Sequence, residues 1–102
     1  MSKTRLLRDF DAEKIPLDSF TRLGTGSEEH HRELHRQLKL AVERMAESNY
    51  TETAAYAEVI EVLKCLAFIN SIDWLDVEDS IWDQMVTHGK YLQGILQNVE
   101  DE

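Results

Sequence analysis

A chain of 102 residues with 20 acidic and 11 basic side chains, a net charge of −9, has room for one hydrophobic core and not for two. Four glycines and one proline among 42% apolar and 30% charged residues exclude a turn-rich sandwich or barrel and point to an all-α domain. The charge also excludes nucleic acid and membrane surfaces as direct partners. Residues 50–89 carry eight carboxylates against the single Lys64, so few cations are there to displace counterions.

Residues 1–26 read as an N-terminal arm. Its apolar residues, Leu6, Leu7, Phe10, Ile15, Leu17, Phe20 and Leu23, keep no sustained period, although Pro16 can open a short helix and Gly24 can close one. The basic start (Lys3, Arg5, Arg8) runs into Asp9 and Asp11 rather than an apolar segment, so it does not read as a secretory signal, and a cytoplasmic protein is expected. Residues 27–102 read as a helical bundle domain.

The first long helix is expected from Ser27 to about Ser48. Ser27 supplies a capping hydroxyl, and Glu28 and Glu29 suit the positive end of the helix dipole. Leu34, Leu38, Ala41 and Met45 recur at spacings of three and four, and one turn back the stripe lands on His31. On the polar side, Glu29 with Arg32, Glu33 with Arg36 and Lys39 with Glu43 have the spacing of helical ion pairs.

A second helix follows Asn49-Tyr50-Thr51, capped by Thr51 or Thr53 and ending at Asn70-Ser71. Its apolar residues occupy more than one side, the pattern of a central helix with several neighbours. Its most apolar stretch, residues 62–69, contains Lys64 and is far short of the ~20 residues a membrane span needs. Cys65 lies in that stretch and reads as a small buried side chain rather than a reactive thiolate, which needs a cationic, partly exposed setting.

Residues 72–76 read as a linker or short turn. A third helix is then expected, capped by Asp76 or Ser80, with Ile81, Met85, His88, Leu92, Ile95 and Val99 on one stripe. Short loops between three long helices imply an antiparallel bundle. Its surplus apolar surface implies completion by a symmetric homodimer.

Two groups of residues could carry function. The first is Glu28, His31 and His35, which share one face of the first helix; imidazole and carboxylate together suit zinc or iron. The spacing of Glu28 and His31 resembles the Glu-x-x-His of ferritin-like di-iron carboxylate proteins, which implies further carboxylates from a facing helix, here Glu58 or Glu61. The same residues also have plain structural uses, as first-turn acids and solvated imidazoles.

The second group is Asp73, Trp74, Asp76, Glu78, Asp79, Trp82 and Asp83, where two indoles stand among five carboxylates without one Lys or Arg. Aromatic anchors with steering charges suit a basic protein partner. Set against this, both Trp could be core residues with the acids as caps and rim. No phosphate-binding glycine loop, nucleophile elbow or Cys-x-x-Cys pair is present, and nothing in the sequence argues for an enzyme. The expected function is therefore a non-enzymatic regulatory or interaction protein of the inhibitor, antitoxin, immunity or assembly-chaperone kind. A metal-binding or metal-sensing bundle and a structural subunit of a larger assembly are the alternatives.

Overall fold

The structure, a computed structural model, describes residues 21–96 and 98. The expected short helix around Pro16, the basic residues Lys3, Arg5 and Arg8, and Val99 at the end of the third stripe lie outside the described residues. Within them the chain is all-helical: α1 spans Glu28–Glu47, α2 Thr53–Ile69 and α3 Trp74–His88, and no described residue is in a strand. The chain divides into two compact units, one ending at Ile72 and one starting at Asp73.

The start of α1 follows the expected chemistry. Ser27 Oγ accepts from the His30 backbone N–H at 3.1 Å and donates to the Leu23 carbonyl at 2.7 Å, so a single hydroxyl caps the helix and ties down the chain before it. His30 adds a reciprocal bond, its Nδ1 accepting from the Gly26 N–H at 3.1 Å, much as the glutamate of a capping box reaches back. On the outer face Arg36 pairs with Glu33, and Arg32 reaches Glu28 at 3.4 Å rather than Glu29.

The turn between α1 and α2 places two consecutive residues in the left-handed region, Asn49 at φ 53° and Tyr50 at φ 64°. Their amides satisfy the last carbonyls of α1, Asn49 N–H to Ala46 at 3.0 Å and Tyr50 N–H to Met45 at 2.7 Å. The Tyr50 carbonyl in turn accepts from the Tyr56 hydroxyl at 3.0 Å. Asparagine tolerates this backbone, whereas the Tyr50 side chain is strained there and lies exposed. Relief of about 1–2 kcal/mol of left-handed strain, less roughly 0.5–1 kcal/mol for the extra chain entropy of glycine, predicts that Tyr50→Gly raises the stability of this unit. The gain in a thermal melt corresponds to about 0.5–1 kcal/mol.

The start of α2 differs from expectation. Glu52 occupies the N-cap without a side-chain capping bond, and Thr53 is the first helical residue. Glu52 is drawn away to Arg44, whose Nη2 lies 2.9 Å from its Oε1, while its backbone N–H donates to Ser48 Oγ at 3.1 Å. At the other end α2 closes with the Ile72 N–H on the Ala67 carbonyl at 2.8 Å and with Ser71 at φ 59°, the position that glycine usually takes.

α1 packs against α2, and among the described residues the buried set is Leu34 and Ala41 from α1 with Ala55, Val62 and Ala67 from α2. The stripe expected on α1 accounts for its share, Leu38 and Met45 being half-buried beside Leu34 and Ala41. Two features join the helices at their ends: Arg44 in the last turn of α1 pairs with Glu52 before α2, and His31 in the first turn of α1 meets Asn70 after α2. A second stripe on α2, Tyr56, Ile60 and Leu63, stays partly exposed, and Cys65 is half-buried rather than enclosed.

α3 begins earlier and ends earlier than its periodicity suggests. Asp73 is the cap, its Oδ1 accepting from the Leu75 N–H at 2.9 Å, so residues 74–76 are the first helical turn and not a linker. The helix stops at Gly89, whose φ of 85° and ψ of 177° belong to a region open almost only to glycine. Leu92 and Ile95 therefore lie past the helix, on non-helical chain. α3 contains no buried residue.

Candidate functional site

The two groups of residues singled out by sequence fare differently. In the histidine group the imidazoles of His30 and His31 are held by hydrogen bonds. His30 caps α1, as described above. The Nδ1 of His31 lies 2.8 Å from the Ser27 carbonyl oxygen and its Nε2 lies 3.1 Å from Asn70 Oδ1. His35 is exposed one turn further along, and Glu28, also exposed, faces Arg32.

The carboxylates expected to complete a metal site are not brought to this end of α2. Glu58 and Glu61 precede Asn70 by twelve and nine residues, which at about 1.5 Å of rise per residue is roughly 13–18 Å along the helix axis. Asn70 is the residue that His31 touches, so Glu28, His31 and His35 on one side and Glu58 and Glu61 on the other do not converge within one chain. Among the described residues no three His, Cys, Asp or Glu side chains are grouped as a metal ion would require, and the structure assigns no ligand set.

The Ser27 carbonyl, and to a smaller extent the Asn70 side chain, raise the pKa of His31 above the ordinary 6.5, with partial desolvation working weakly the other way. Both partners are oxygens that accept, and the charged imidazole, with two N–H groups, is the form that can satisfy both. Sequence reasoning placed His31 at the end of an apolar stripe and had no means of finding Asn70, which is 39 residues away.

The acidic group holds together as a surface because it lies on a single helix. Taking 100° per residue around α3, Leu75, Trp82 and Val86 fall on one narrow stripe with Asp79 at its edge, Asp83 and Asp76 further out on that flank and Glu78 on the other. The three apolar side chains are 66%, 63% and 69% exposed, and the four carboxylates are exposed as well. Trp74 is half-buried and differs in this from Trp82. Asp73 is occupied as the N-cap, which removes one of its oxygens from any outside partner. His88, expected on a packed stripe, is exposed at the last turn, where a cation would suit the helix dipole.

No protein-family model matches the chain, and neither the curated proteins nor the solved structures compared with it give a match. Among the described residues no helix is long and apolar enough to cross a membrane.

Proposed function

We propose that the protein is a non-enzymatic interaction protein whose α3 docks on a basic partner protein through Leu75, Trp82 and Val86, with Asp76, Glu78, Asp79 and Asp83 as steering charges. The observation that carries this reading is the exposure of those three apolar side chains on a helix without a buried residue. An apolar stripe three turns long has the form of a helix that binds in a groove. The charge selects the partner. Residues 72–87 contain five carboxylates and no Lys or Arg, so a basic rim around the groove gains attraction and an acidic one is repelled. Occlusion of that basic groove is the mechanism, in the manner of an inhibitor, antitoxin or chaperone.

The test is site-specific photocrosslinking in cells with the photoreactive residue at Leu75 or Val86, and at Ala57 on α2 as the control position. The reading expects one basic protein joined from both α3 positions and not from Ala57, with its yield falling as salt is raised during capture. Crosslinks only to acidic or neutral proteins, or only to another copy of this chain, would overturn it.

A structural reading adds to this one. The end-to-end links of His31 with Asn70 and Arg44 with Glu52 support an antiparallel α1–α2 hairpin, and we infer that a second copy covers the outer stripe of α2. Ile60 and Leu63 of that stripe are partly exposed and lie symmetrically about the midpoint between Glu61 and Val62. A two-fold axis there sets Ile60 against Leu63 of the second copy, a self-complementary contact. Two partly exposed side chains fall well short of the roughly 1,200 Å² that stable interfaces bury in total, so this seam gives weak, concentration-dependent pairing. Light scattering should show the mass rising towards two chains as concentration rises, and Ile60→Lys should hold it at one. A wild-type mass of one chain across the range removes the dimer.

A further inference from the structure

We infer that His31 is a pH-operated clasp: protonated, its two ring N–H groups hold the Ser27 carbonyl at the start of α1 and the Asn70 side-chain oxygen at the end of α2, and deprotonated it must release one of them.

The geometry fixes both partners as acceptors. Ser27 offers a backbone carbonyl oxygen, 2.8 Å from Nδ1. Asn70 could in principle present either end of its amide, but its Nδ2 already donates to the Leu66 carbonyl at 2.8 Å, which turns Oδ1 towards His31. A neutral imidazole owns one N–H and one lone pair. In that form one of the two contacts sets lone pair against lone pair. The Ser27 contact is the shorter and lies within one helical turn, so the neutral ring keeps its proton on Nδ1 and the longer, exposed bond to Asn70 is the one that fails. Deprotonation thus unfastens the start of α1 from the end of α2.

The charged and titratable groups around His31 favour this assignment. On α1 they are Glu28 one turn before, paired with Arg32, His30, whose Nδ1 holds the Gly26 amide, and His35 one turn after. On α2 the last turn, residues 66–70, contains no ionisable side chain, Lys64 and Cys65 point to other sides of the helix, and Glu58 and Glu61 are some three turns away. The last carbonyls of α2 add a partial negative charge beside the imidazole, against the partial positive charge at the start of α1. Hydrogen bonding to the charged form decides the direction, and the pKa of His31 is raised, by the Ser27 bond first and the Asn70 bond second.

The sign of the pH dependence follows. With a folded pKa above the unfolded 6.5, the clasp contributes its full stability below that unfolded value and loses it as pH rises through the folded pKa.

The experiment is a long-range proton–nitrogen NMR titration of the imidazoles in the full chain from about pH 5.5 to about pH 8.5, in wild type, Asn70→Ala and Asn70→Asp. The clasp expects both ring nitrogens of His31 to be protonated at the acid end, the Nδ1–H tautomer at the alkaline end, a lower midpoint in Asn70→Ala and a higher one in Asn70→Asp. Opposite shifts from two changes at one position are not the signature of general damage to the fold, and circular dichroism checks that each variant is helical. Thermal melts give the second readout. The wild-type midpoint should fall across the His31 titration by more than that of His31→Gln, which has no titration at this position. A midpoint that Asn70→Ala and Asn70→Asp both leave unmoved, or a neutral His31 throughout the range, overturns the clasp.

Discussion

Leu34→Ala should destabilise the α1–α2 unit more than any other single large-to-small change among the described residues, by about 2–4 kcal/mol in a urea melt followed by helical circular dichroism. The reason lies in what the buried set is made of. Three of its five members, Ala41, Ala55 and Ala67, are alanines, and each contributes little more than a methyl group to the area removed from water. Their use is to let the helices approach. Leu34, 4% exposed, and Val62, 6% exposed, are the larger side chains in the set, and of the two leucine removes more apolar surface. Truncating Leu34 costs both that transfer energy and the cavity left beside the alanines, which have no longer side chains to fill it. Val42→Ala, at a half-exposed position on the same helix, is the control and should stay within about 0.5 kcal/mol of wild type. Equal effects from Leu34 and Val42 would mean that the packing of α1 on α2 does not hold this unit together.

How far the sequence anticipated the fold depended on whether independent signals coincided. At α1 a hydroxyl cap, two first-turn acids and a 3.6-residue stripe all marked one start, and the helix begins where expected, with Ser27 as its N-cap. At α3 the signals competed. Asp73, Asp76, Asp79 and Ser80 are all cap-forming residue types within eight positions, and only the backbone decides that Asp73 takes the role. The far end of α3 was overextended because Leu92, Ile95 and Val99 continue the period of Ile81 and Met85 past Gly89. A glycine inside a helical pattern costs only about 1 kcal/mol and is often tolerated. Here Gly89 instead adopts an extended, positive-φ conformation that ends the helix, and periodicity carries no information about that choice.

The same limit applies to the candidate sites. The acidic surface of α3 was legible because all of its members lie within one helix, where spacing alone fixes which side chains share a face. What spacing left open was which indole is covered, and the half-buried Trp74 differs in that from the exposed Trp82. Glu28, His31 and His35 were read as a group because they share one face of a helix, yet His31 turns to Ser27 and Asn70 while Glu28 faces Arg32. The residue that gives His31 its character, Asn70, comes from another helix and is of a type with many other uses. A contact across 39 residues between two common polar side chains leaves no trace in a single sequence.

Trp82→Ala should weaken binding to the basic partner proposed for α3 by about 30-fold or more, with the helical content of the free protein unchanged. The magnitude follows from exposure. An indole that is 63% exposed in the free chain has roughly 150 Å² left to bury, worth about 3–4 kcal/mol at ~25 cal/mol per Å². Ordering one side chain at an interface returns about 0.5–1.5 kcal/mol of that. The remainder, about 2–3 kcal/mol, is a factor of about 30 to 150. Because the exposed ring contributes little to the folded state, its removal separates binding from stability in a way that Leu34→Ala cannot. The carboxylates should act on another part of the kinetics. Neutralising Asp76, Asp79 and Asp83 together as Asn should slow association by about tenfold at low salt and flatten its salt dependence, while dissociation changes far less, since exposed rim charges steer encounter more than they hold the complex. Both outcomes are measured on the protein found by crosslinking, by stopped-flow association and by surface-plasmon dissociation at about 50 and about 500 mM salt. Wild-type affinity in Trp82→Ala, or association indifferent to salt, would place the partner somewhere other than this face of α3.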